Sequence, residues 1–129
     1  MDAVSLYREE ILDHYQNPRN FGRLEKADAY SHQVNPLCGD DITMWVNYGP
    51  TTDSGKKNNA IREICFFGKG CAICLAGASM LTDFAKGKSR KELTKFSESD
   101  MLDLLGIEVS ETRKKCAMLS LVVLKDCIK

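Results

Sequence analysis

The spacing of apolar residues changes near residue 70, and this change restricts the fold more than any other feature of the chain. Along Ile42–Tyr48 apolar residues recur at every second position, which is typical of a strand with one buried face. Ala27–Val34 and Ala60–Phe67 are also strand-like, and the polar run 50–59 predicts a hairpin turn between the second and third strands. Beyond residue 70 the spacing becomes helical. Strands followed by a run of helices predict an α+β fold, a small three-stranded antiparallel sheet with helices packed on it.

Capping and breaking residues divide the helical parts of the chain into segments. The first helix, residues 3–16, precedes the strands and is followed by Asn17-Pro18, which ends it. Asp2 can cap this helix, whose helically spaced apolar residues are Val4, Tyr7, Ile11 and Tyr15. The later helices are predicted at Cys71–Lys86 before Gly87, at a short segment opened by the capping box of Ser89 and Glu92, from Ser99 to Gly106, and at Glu111–Cys127 after Ser110.

Length, charge and hydropathy argue against several classes of protein. A chain of 129 residues predicts one domain, residues 1–129, which can bury a core without disulfides. Its 18 basic and 18 acidic side chains give zero net charge, which argues against nucleic-acid binding. No apolar run approaches the roughly 20 residues of a membrane helix, and the N-terminal residues lack the basic and apolar regions of a signal peptide. We therefore expect a cytoplasmic protein that binds neither nucleic acid nor membrane.

The chain carries six cysteines, more than packing alone requires. In a reducing compartment this number points to metal or sulfur chemistry rather than to disulfides. Cys65 lies mid-strand and Cys127 shares a helical stripe with neighbouring apolar residues, so we interpret both as small core residues. Cys71 and Cys74 form a C-x-x-C pair, but that redox motif is expected in a βαβ setting and a hairpin precedes it here.

Three of these cysteines, Cys38, Cys71 and Cys116, fall at junctions between predicted elements. Free N–H groups at helix starts, with nearby Lys114 and Lys115, favour the thiolate form that binds metal and attacks sulfur. The spacings of 33 and 45 residues match no zinc finger, so the fold would have to assemble a shared site. The alternative is that each is a buried thiol.

Asp40 follows Cys38 by two residues, with Gly39 between them. Gly39 is expected to let the backbone turn so that the thiol and the carboxylate face one metal. An acid after a glycine is also an ordinary turn residue, and Asp41 has no role that the sequence suggests.

Four stretches of the chain together resemble a known family. In chain order they are Y-R-E-E-I-L-D-H-Y-Q-N-P-R-N-F-G at 7–22, N-P-L-C-G-D-D at 35–41, G-K-G-C-A-I-C-L-A-G-A-S at 68–79 and R-K-K-C-A-M-L at 113–119. They resemble the IscU/NifU-type iron–sulfur cluster assembly scaffolds, a family that includes the SufU sulfur acceptors. The resemblance covers nearly the whole chain and implies an IscU/SufE-like fold with three antiparallel strands.

The resemblance also implies a ligand set. Cys38, Cys71 and Cys116 match the family's three ligand cysteines, and Asp40 matches the aspartate that takes part in cluster or zinc binding. Three thiolates suit an iron–sulfur cluster or zinc. An oxygen is a poorer partner for a sulfide cluster, so Asp40 would give a labile fourth bond.

The implied function is a non-catalytic scaffold. A cysteine desulfurase supplies sulfur, iron joins it, and a [2Fe–2S] cluster passes to an apo-protein. A homodimer is also expected. One alternative is a zinc-dependent persulfide acceptor of the SufU type, and another is a thiol–disulfide protein that uses Cys71 and Cys74.

The chain departs from the IscU pattern at three places. Lys115 stands where histidine is usual, as in the SufU branch, although the interval between Cys71 and Cys116 resembles the IscU branch. A protonated Lys115 cannot be a ligand but can stabilise a thiolate or an anionic cluster.

Cys74 replaces the usual serine; packing is the favoured interpretation, with spare ligand and persulfide relay as alternatives. Val109–Arg113 replaces the Leu-Pro-Pro-Val-Lys segment that docks an Hsp70-type chaperone, so use of that chaperone is not expected. Cys116 is the expected first sulfur acceptor, because two lysines precede it.

Overall fold

The fold is a three-stranded antiparallel sheet with helices packed on one face. The computed structural model describes residues 3–36, 38–49 and 60–129, and for residues 3–7 it describes the backbone alone. Within these ranges the elements are α1 (Ala3–Gln16), β1 (Ala29–Asn35), β2 (Asp40–Tyr48), β3 (Ile61–Lys69), α2 (Ala72–Ala85), α3 (Arg90–Thr94), α4 (Glu98–Leu105) and α5 (Glu111–Cys127). The predicted α+β class is confirmed.

The sheet has the order β1-β2-β3, so β2 is the central strand. The inward face of β2 carries Ile42, Met44 and Val46, which are fully buried. Phe66 and Ile64 of β3 pair with Met44 and Val46, which extends the same apolar surface across the sheet. The alternation predicted for the second strand is therefore confirmed. The predicted turn at 50–59 lies outside the described residues.

Helices α2 and α5 cover the inward face of the sheet and form the core with it. Small side chains along α2 allow neighbouring elements to pack closely against this helix. Two of them, Ala76 and Ala78, are fully buried. At Gly77 between them, an added Cβ would lie 3.3 Å from Met101 Cε of α4. None of the helices in the described ranges combines the length and apolar character required to cross a membrane.

Helix α1 has the predicted bounds, but its apolar stripe differs from the expectation. Asp2 lies outside the described residues, as do the side chains of Val4 and Tyr7. Ile11 is buried as predicted, whereas Tyr15 is 41% exposed, so its assignment to the stripe is wrong. The buried His14 points inward in its place.

Helix α4 begins earlier than the sequence pattern indicated. The N-cap is Ser97, not Ser99, because Ser97 and Asp100 form a reciprocal capping box. The Asp100 N–H donates to Ser97 Oγ at 3.1 Å, and the Ser97 N–H donates to the Asp100 carboxylate at 2.9 Å. Ser110 occupies the N-cap position of α5, but its side chain makes no capping hydrogen bond. The other boundaries agree with the predictions to within about two residues.

Candidate metal centre

The turn between β1 and β2 brings Cys38 and Asp40 to the same end of the sheet. The Asn35 carbonyl accepts the N–H groups of Cys38 at 3.2 Å and Gly39 at 2.8 Å, which closes the turn. Gly39 has φ 73°, in the left-handed region that favours glycine. The expected role of Gly39 in turning the backbone therefore agrees with its geometry.

Asp40 is a buried carboxylate, only 1% exposed, at the first position of β2. Its Oδ1 accepts the backbone N–H of Cys71 at 3.1 Å, which ties the first cysteine turn to the start of α2. Its Oδ2 is buried and has no hydrogen-bond partner among the described residues. A buried carboxylate oxygen without a partner is costly unless a proton or a cation occupies the space beside it.

Gly70 makes room for this carboxylate. A Cβ added at Gly70 would lie 2.6 Å from Asp40 Oδ1 and 3.2 Å from Cys74 Sγ. Since carbon and oxygen do not approach so closely without a bond, only glycine at position 70 permits the observed position of Asp40.

Cys116 reaches the centre from the second turn of α5 and is fully buried. Its Sγ lies 3.4 Å from Cys38 Sγ, and the Asn35 side-chain amide donates to it at 4.0 Å. Ligand atoms of Cys38, Asp40 and Cys116 all lie within 4.8 Å of one another, close enough to hold one ion.

The environment of Cys116 differs from the one that the preceding lysines suggested. Burial raises the pKa of its thiol well above the usual range, and the close approach of Asp40 and Cys38 raises it further. Cys116 is therefore a buried thiol whose thiolate form is disfavoured, and its role as first sulfur acceptor stays a prediction. Cys38 is exposed and Cys71 is half-buried, so both offer easier access to a partner protein.

Cys71 is the N-cap of α2. Its sulfur accepts the backbone N–H of Cys74 at 3.5 Å, and its own N–H is held by Asp40. Cys71 is not one of the three residues whose ligand atoms lie within 4.8 Å of one another. The hydrogen bond from its N–H to the Asp40 carboxylate connects it to them.

Cys74 lies one helical turn further along α2 and is only 1% exposed. Burial is the main cause that raises the pKa of its thiol well above the usual range, followed by the negative charge of Asp40. A raised pKa disfavours the thiolate, which is the form that binds metal. The burial fits the packing interpretation, but the nearby Asp40 is a feature that packing alone does not explain.

The cation beside the thiols is Arg113, which the sequence analysis did not single out as a site residue. The negative charge of Cys71, then its side-chain hydrogen bond, and the same two effects from Cys116 raise the pKa of Arg113. Arg113 precedes Cys116 by three residues on α5, and this i, i+3 spacing is the signal that could have found it. Lys115 is exposed and lines a groove with Val34 and Pro36.

The two remaining cysteines differ from each other. Cys127 is buried in the core, as predicted, with its sulfur 3.9 Å from the Met44 carbonyl oxygen. Cys65 pairs with Trp45 across the sheet and is only half-buried, so its assignment to the core is wrong. Its side chain alternates with those of Ile64 and Phe66, which face the core, and so it lies on the opposite face.

Comparison with known proteins shows the family of this chain. A family model described as the NifU-like N terminal domain matches residues 6–129. The chain belongs to this family. The resemblance to the IscU/NifU type is thereby confirmed, and the cysteine-bearing segments all lie within the matched region.

Two of the proteins that are similar to this chain have names that indicate different functions. The iron–sulfur cluster assembly scaffold protein IscU 1 of Archaeoglobus fulgidus is 34% identical over 123 residues, which cover 95% of this chain and 74% of that protein. The zinc-dependent sulfurtransferase SufU of Bacillus subtilis is 33% identical over an alignment 133 residues long, gaps included, which covers 90% of this chain and 84% of that protein. The crystal structure of a NifU-like protein (N-terminal) from Brucella abortus has the same fold, with a TM-score of 0.73 and 20% identity over 98% of this chain and 93% of that one.

Proposed function

We propose that this chain is a scaffold on which iron–sulfur clusters are assembled before they pass to apo-proteins. The observation that carries the proposal is the buried Asp40 carboxylate, grouped with the thiols of Cys38 and Cys116, whose Oδ2 has no partner among the described residues. Thiolates with one oxygen fit the chemistry of iron and zinc, and a cation beside Oδ2 would satisfy the unpaired oxygen. The relatives that are named as scaffold proteins support the same function.

Cys38, Asp40, Cys71 and Cys116 would hold the cluster, which is the cargo of the protein. A [2Fe–2S] cluster presents two irons, so its four ligands need not all lie within reach of one ion. This accounts for a ligand set in which Cys71 stands apart from the other three donors. The Asp40 oxygen is a harder ligand than sulfur, so it would be the bond most easily broken when the cluster leaves.

The proposed partners are a cysteine desulfurase, which supplies the sulfur, and the apo-proteins that receive the cluster. The exposed position of Cys38 supports such access, because a partner can reach its sulfur without opening the core. We also propose that the protein acts as a homodimer in the cytoplasm. Its six cysteines are free thiols, as in a reducing compartment.

Anaerobic reconstitution tests the scaffold function. With ferrous iron, cysteine and a cysteine desulfurase, we expect visible absorption of a cluster and equal amounts of iron and acid-labile sulfide. Cys38→Ala and Asp40→Ala should each change cluster yield or lifetime, whereas Cys65→Ser, on the opposite face of the sheet, should behave like the wild type. Cluster formation that is unchanged in Cys38→Ala and Cys71→Ala would contradict the proposal.

A second candidate is a zinc-bound acceptor of persulfide sulfur that builds no cluster. The grouping of Cys38, Asp40 and Cys116 within 4.8 Å favours it, because this span suits a single tetrahedral ion with one open position. The similarity to the zinc-dependent sulfurtransferase supports it as well. Metal analysis of anaerobically purified protein separates the two candidates. Iron with acid-labile sulfide indicates the scaffold, and zinc with persulfide turnover indicates the sulfurtransferase.

A further inference from the structure

Cys71 and Cys74 form a C-x-x-C pair across the first turn of α2. The Cys71 sulfur sits at the N-cap and accepts the Cys74 N–H, so the two residues are held in one turn of helix. Cys71 is half-buried and open to a partner, while Cys74 lies behind it in the core. An accessible thiol backed by a second, protected thiol is the arrangement in which the second can resolve a sulfur–sulfur bond on the first.

The surroundings of Cys74 are not those of a simple packing residue. Cys74 Sγ and Asp40 Oδ1 both lie within 3.2 Å of the position that a Gly70 Cβ would occupy, so the thiol and the carboxylate border the same small space. The charged groups that act on Cys74 are Asp40, Cys71 and Cys38, all of which belong to the candidate metal centre. Cys74 therefore borders the centre from the core side.

A scaffold of the proposed function has a redox requirement that its ligands do not meet. Sulfur delivered as a persulfide is at the oxidation level of elemental sulfur, whereas a cluster contains sulfide. Each sulfur atom must gain two electrons before it can be built in. A thiol adjacent to the persulfide can supply them, because thiols reduce persulfides by forming a disulfide.

We propose that Cys74 reduces persulfide sulfur on Cys71 to sulfide, an inference that rests on the proposed function. The Cys74 sulfur attacks Cys71 Sγ, and a bond forms between the two cysteine sulfurs. The bond from Cys71 Sγ to the terminal sulfur breaks, and its electron pair leaves with the terminal sulfur. That sulfur takes up the proton released by Cys74 and departs as hydrogen sulfide. The two cysteine sulfurs together lose two electrons and the delivered sulfur gains two, so the step needs no other reagent.

Cys38 and Cys116 lie 3.4 Å apart and could perform the same chemistry. A disulfide between them would remove two ligand thiols from the centre, whereas a disulfide between Cys71 and Cys74 removes one. Reduction through Cys74 leaves Cys38, Asp40 and Cys116 in place to receive the sulfide. An external dithiol must then reduce the disulfide before Cys71 can act as a ligand.

Sulfide release from the persulfidated full-length chain tests this inference. The reduced protein is loaded with inorganic polysulfide, freed of excess reagent, and followed anaerobically without iron, since ferrous iron is itself a reductant. We expect the wild type to release about one equivalent of sulfide per chain and to gain a disulfide that joins Cys71 to Cys74, found by mass spectrometry. The Cys74→Ser and Cys74→Ala variants should release sulfide more than about tenfold more slowly, because an intramolecular reaction is lost. Cys65→Ser should match the wild type.

Release at the wild-type rate from both Cys74 variants would overturn the inference, as would a disulfide that joins Cys38 to Cys116 instead. Reconstitution with ferrous iron and sodium sulfide keeps this outcome separate from the proposed function, because sulfide needs no reduction. If the wild type assembles no cluster from sulfide, the scaffold function fails. The wild type and Cys74→Ser could instead both assemble a cluster from sulfide and release persulfide sulfur at the same rate. That result would contradict only the proposed role of Cys74 and would leave the scaffold function standing.

Discussion

At the scale of single residues, the centre depends on one buried carboxylate and the glycine that admits it. Asp40 makes one hydrogen bond through Oδ1 and leaves Oδ2 buried without a partner among the described residues. A protein that served no ligand would gain stability by exchanging such a group for an apolar one. Here the same carboxylate lies within 4.8 Å of the Cys38 and Cys116 sulfurs, where a cation would offset the cost.

Gly70→Ala should weaken zinc binding without removing any ligand. The new Cβ would lie 2.6 Å from Asp40 Oδ1 and would displace the carboxylate. Displacing a group that orients a ligand set costs about 10- to 100-fold in affinity. Competition with a chromogenic chelator measures the change. The matched control is Gly49→Ala, whose Cβ would lie nearest to Nε and Cδ of the flexible Arg62 side chain, at 3.2 and 3.3 Å. Equal affinities of the two variants would show that Gly70 does not set the position of Asp40.

Arg113→Gln should reduce zinc affinity more than Lys115→Gln. Arg113 is the cation on which the charges of Cys71 and Cys116 act, whereas Lys115 faces the groove beside β1. Since Arg113 is exposed and screened by solvent, the expected loss is only about two- to fivefold. Titration at low and at high salt checks the electrostatic origin, because salt should narrow the difference. A larger loss in Lys115→Gln would contradict this assignment.

At the scale of elements, a buried polar contact fixes α1 against α2. His14 Nδ1 of α1 lies 2.8 Å from Ser79 Oγ of α2, and Ser79 Oγ also accepts the Arg19 N–H at 2.8 Å. Since Ser79 Oγ accepts the Arg19 N–H, we assign the Ser79 hydroxyl as the hydrogen-bond donor to His14 Nδ1. A ring nitrogen that accepts a hydrogen bond carries no proton, so the His14 ring is neutral. Burial lowers the pKa of His14, and the charge of Arg19 lowers it further.

The free energy of unfolding should therefore fall in mild acid. The pKa of His14 in the folded protein is below its ordinary value of 6.5, so the unfolded chain binds the proton more readily. This contribution is fully present above about pH 6.5 and is lost as the pH falls through the folded pKa. Urea denaturation of the wild type and His14→Gln between pH 7.5 and about 5 measures it. His32 is present in both proteins, so its titration cancels in the difference. Parallel pH profiles would disprove the contribution of His14.

At the scale of the whole molecule, the centre exists only because three distant segments meet. The β1–β2 turn supplies Cys38 and Asp40, the start of α2 supplies Cys71, and α5 supplies Cys116. The packing of α2 and α5 on the same face of the sheet brings these segments together. An ion held by residues of all three segments would therefore couple its binding to the folding of the chain.

Zinc should raise the thermal midpoint of the wild type. At a free zinc concentration a hundredfold above Kd, the stabilisation is about 2.7 kcal/mol. Cys38→Ser should lose most of this rise without losing stability in the absence of zinc, because Cys38 is exposed. Cys65→Ser should keep it. Thermal denaturation with zinc and with a chelator compares the three proteins, and an equal rise in Cys38→Ser would place the zinc elsewhere.

Local patterns determined the class of fold and most of its elements. The alternation in β2, the capping box of α3 and the glycine after α4 are set by neighbouring residues, so they can be read from the sequence. The start of α4 cannot be predicted locally, because two serines lie two residues apart and only the reciprocal bond to Asp100 distinguishes them. The burial of Tyr15 and Cys65 cannot be predicted either, because spacing predicts a face but not which face the rest of the chain covers.

The order of the four motifs identifies which residues can form the centre, since these motifs carry the cysteines and Asp40. Their environments depend on the folded chain: Cys116 is buried, Cys38 is exposed, Cys74 lies behind Cys71, and Arg113 lies beside the thiols. The physical reason is that burial and charge depend on groups distant in the chain, whose positions follow from the packing of α2 and α5 on the sheet. The same packing encloses the Asp40 carboxylate and leaves Oδ2 buried beside the thiols.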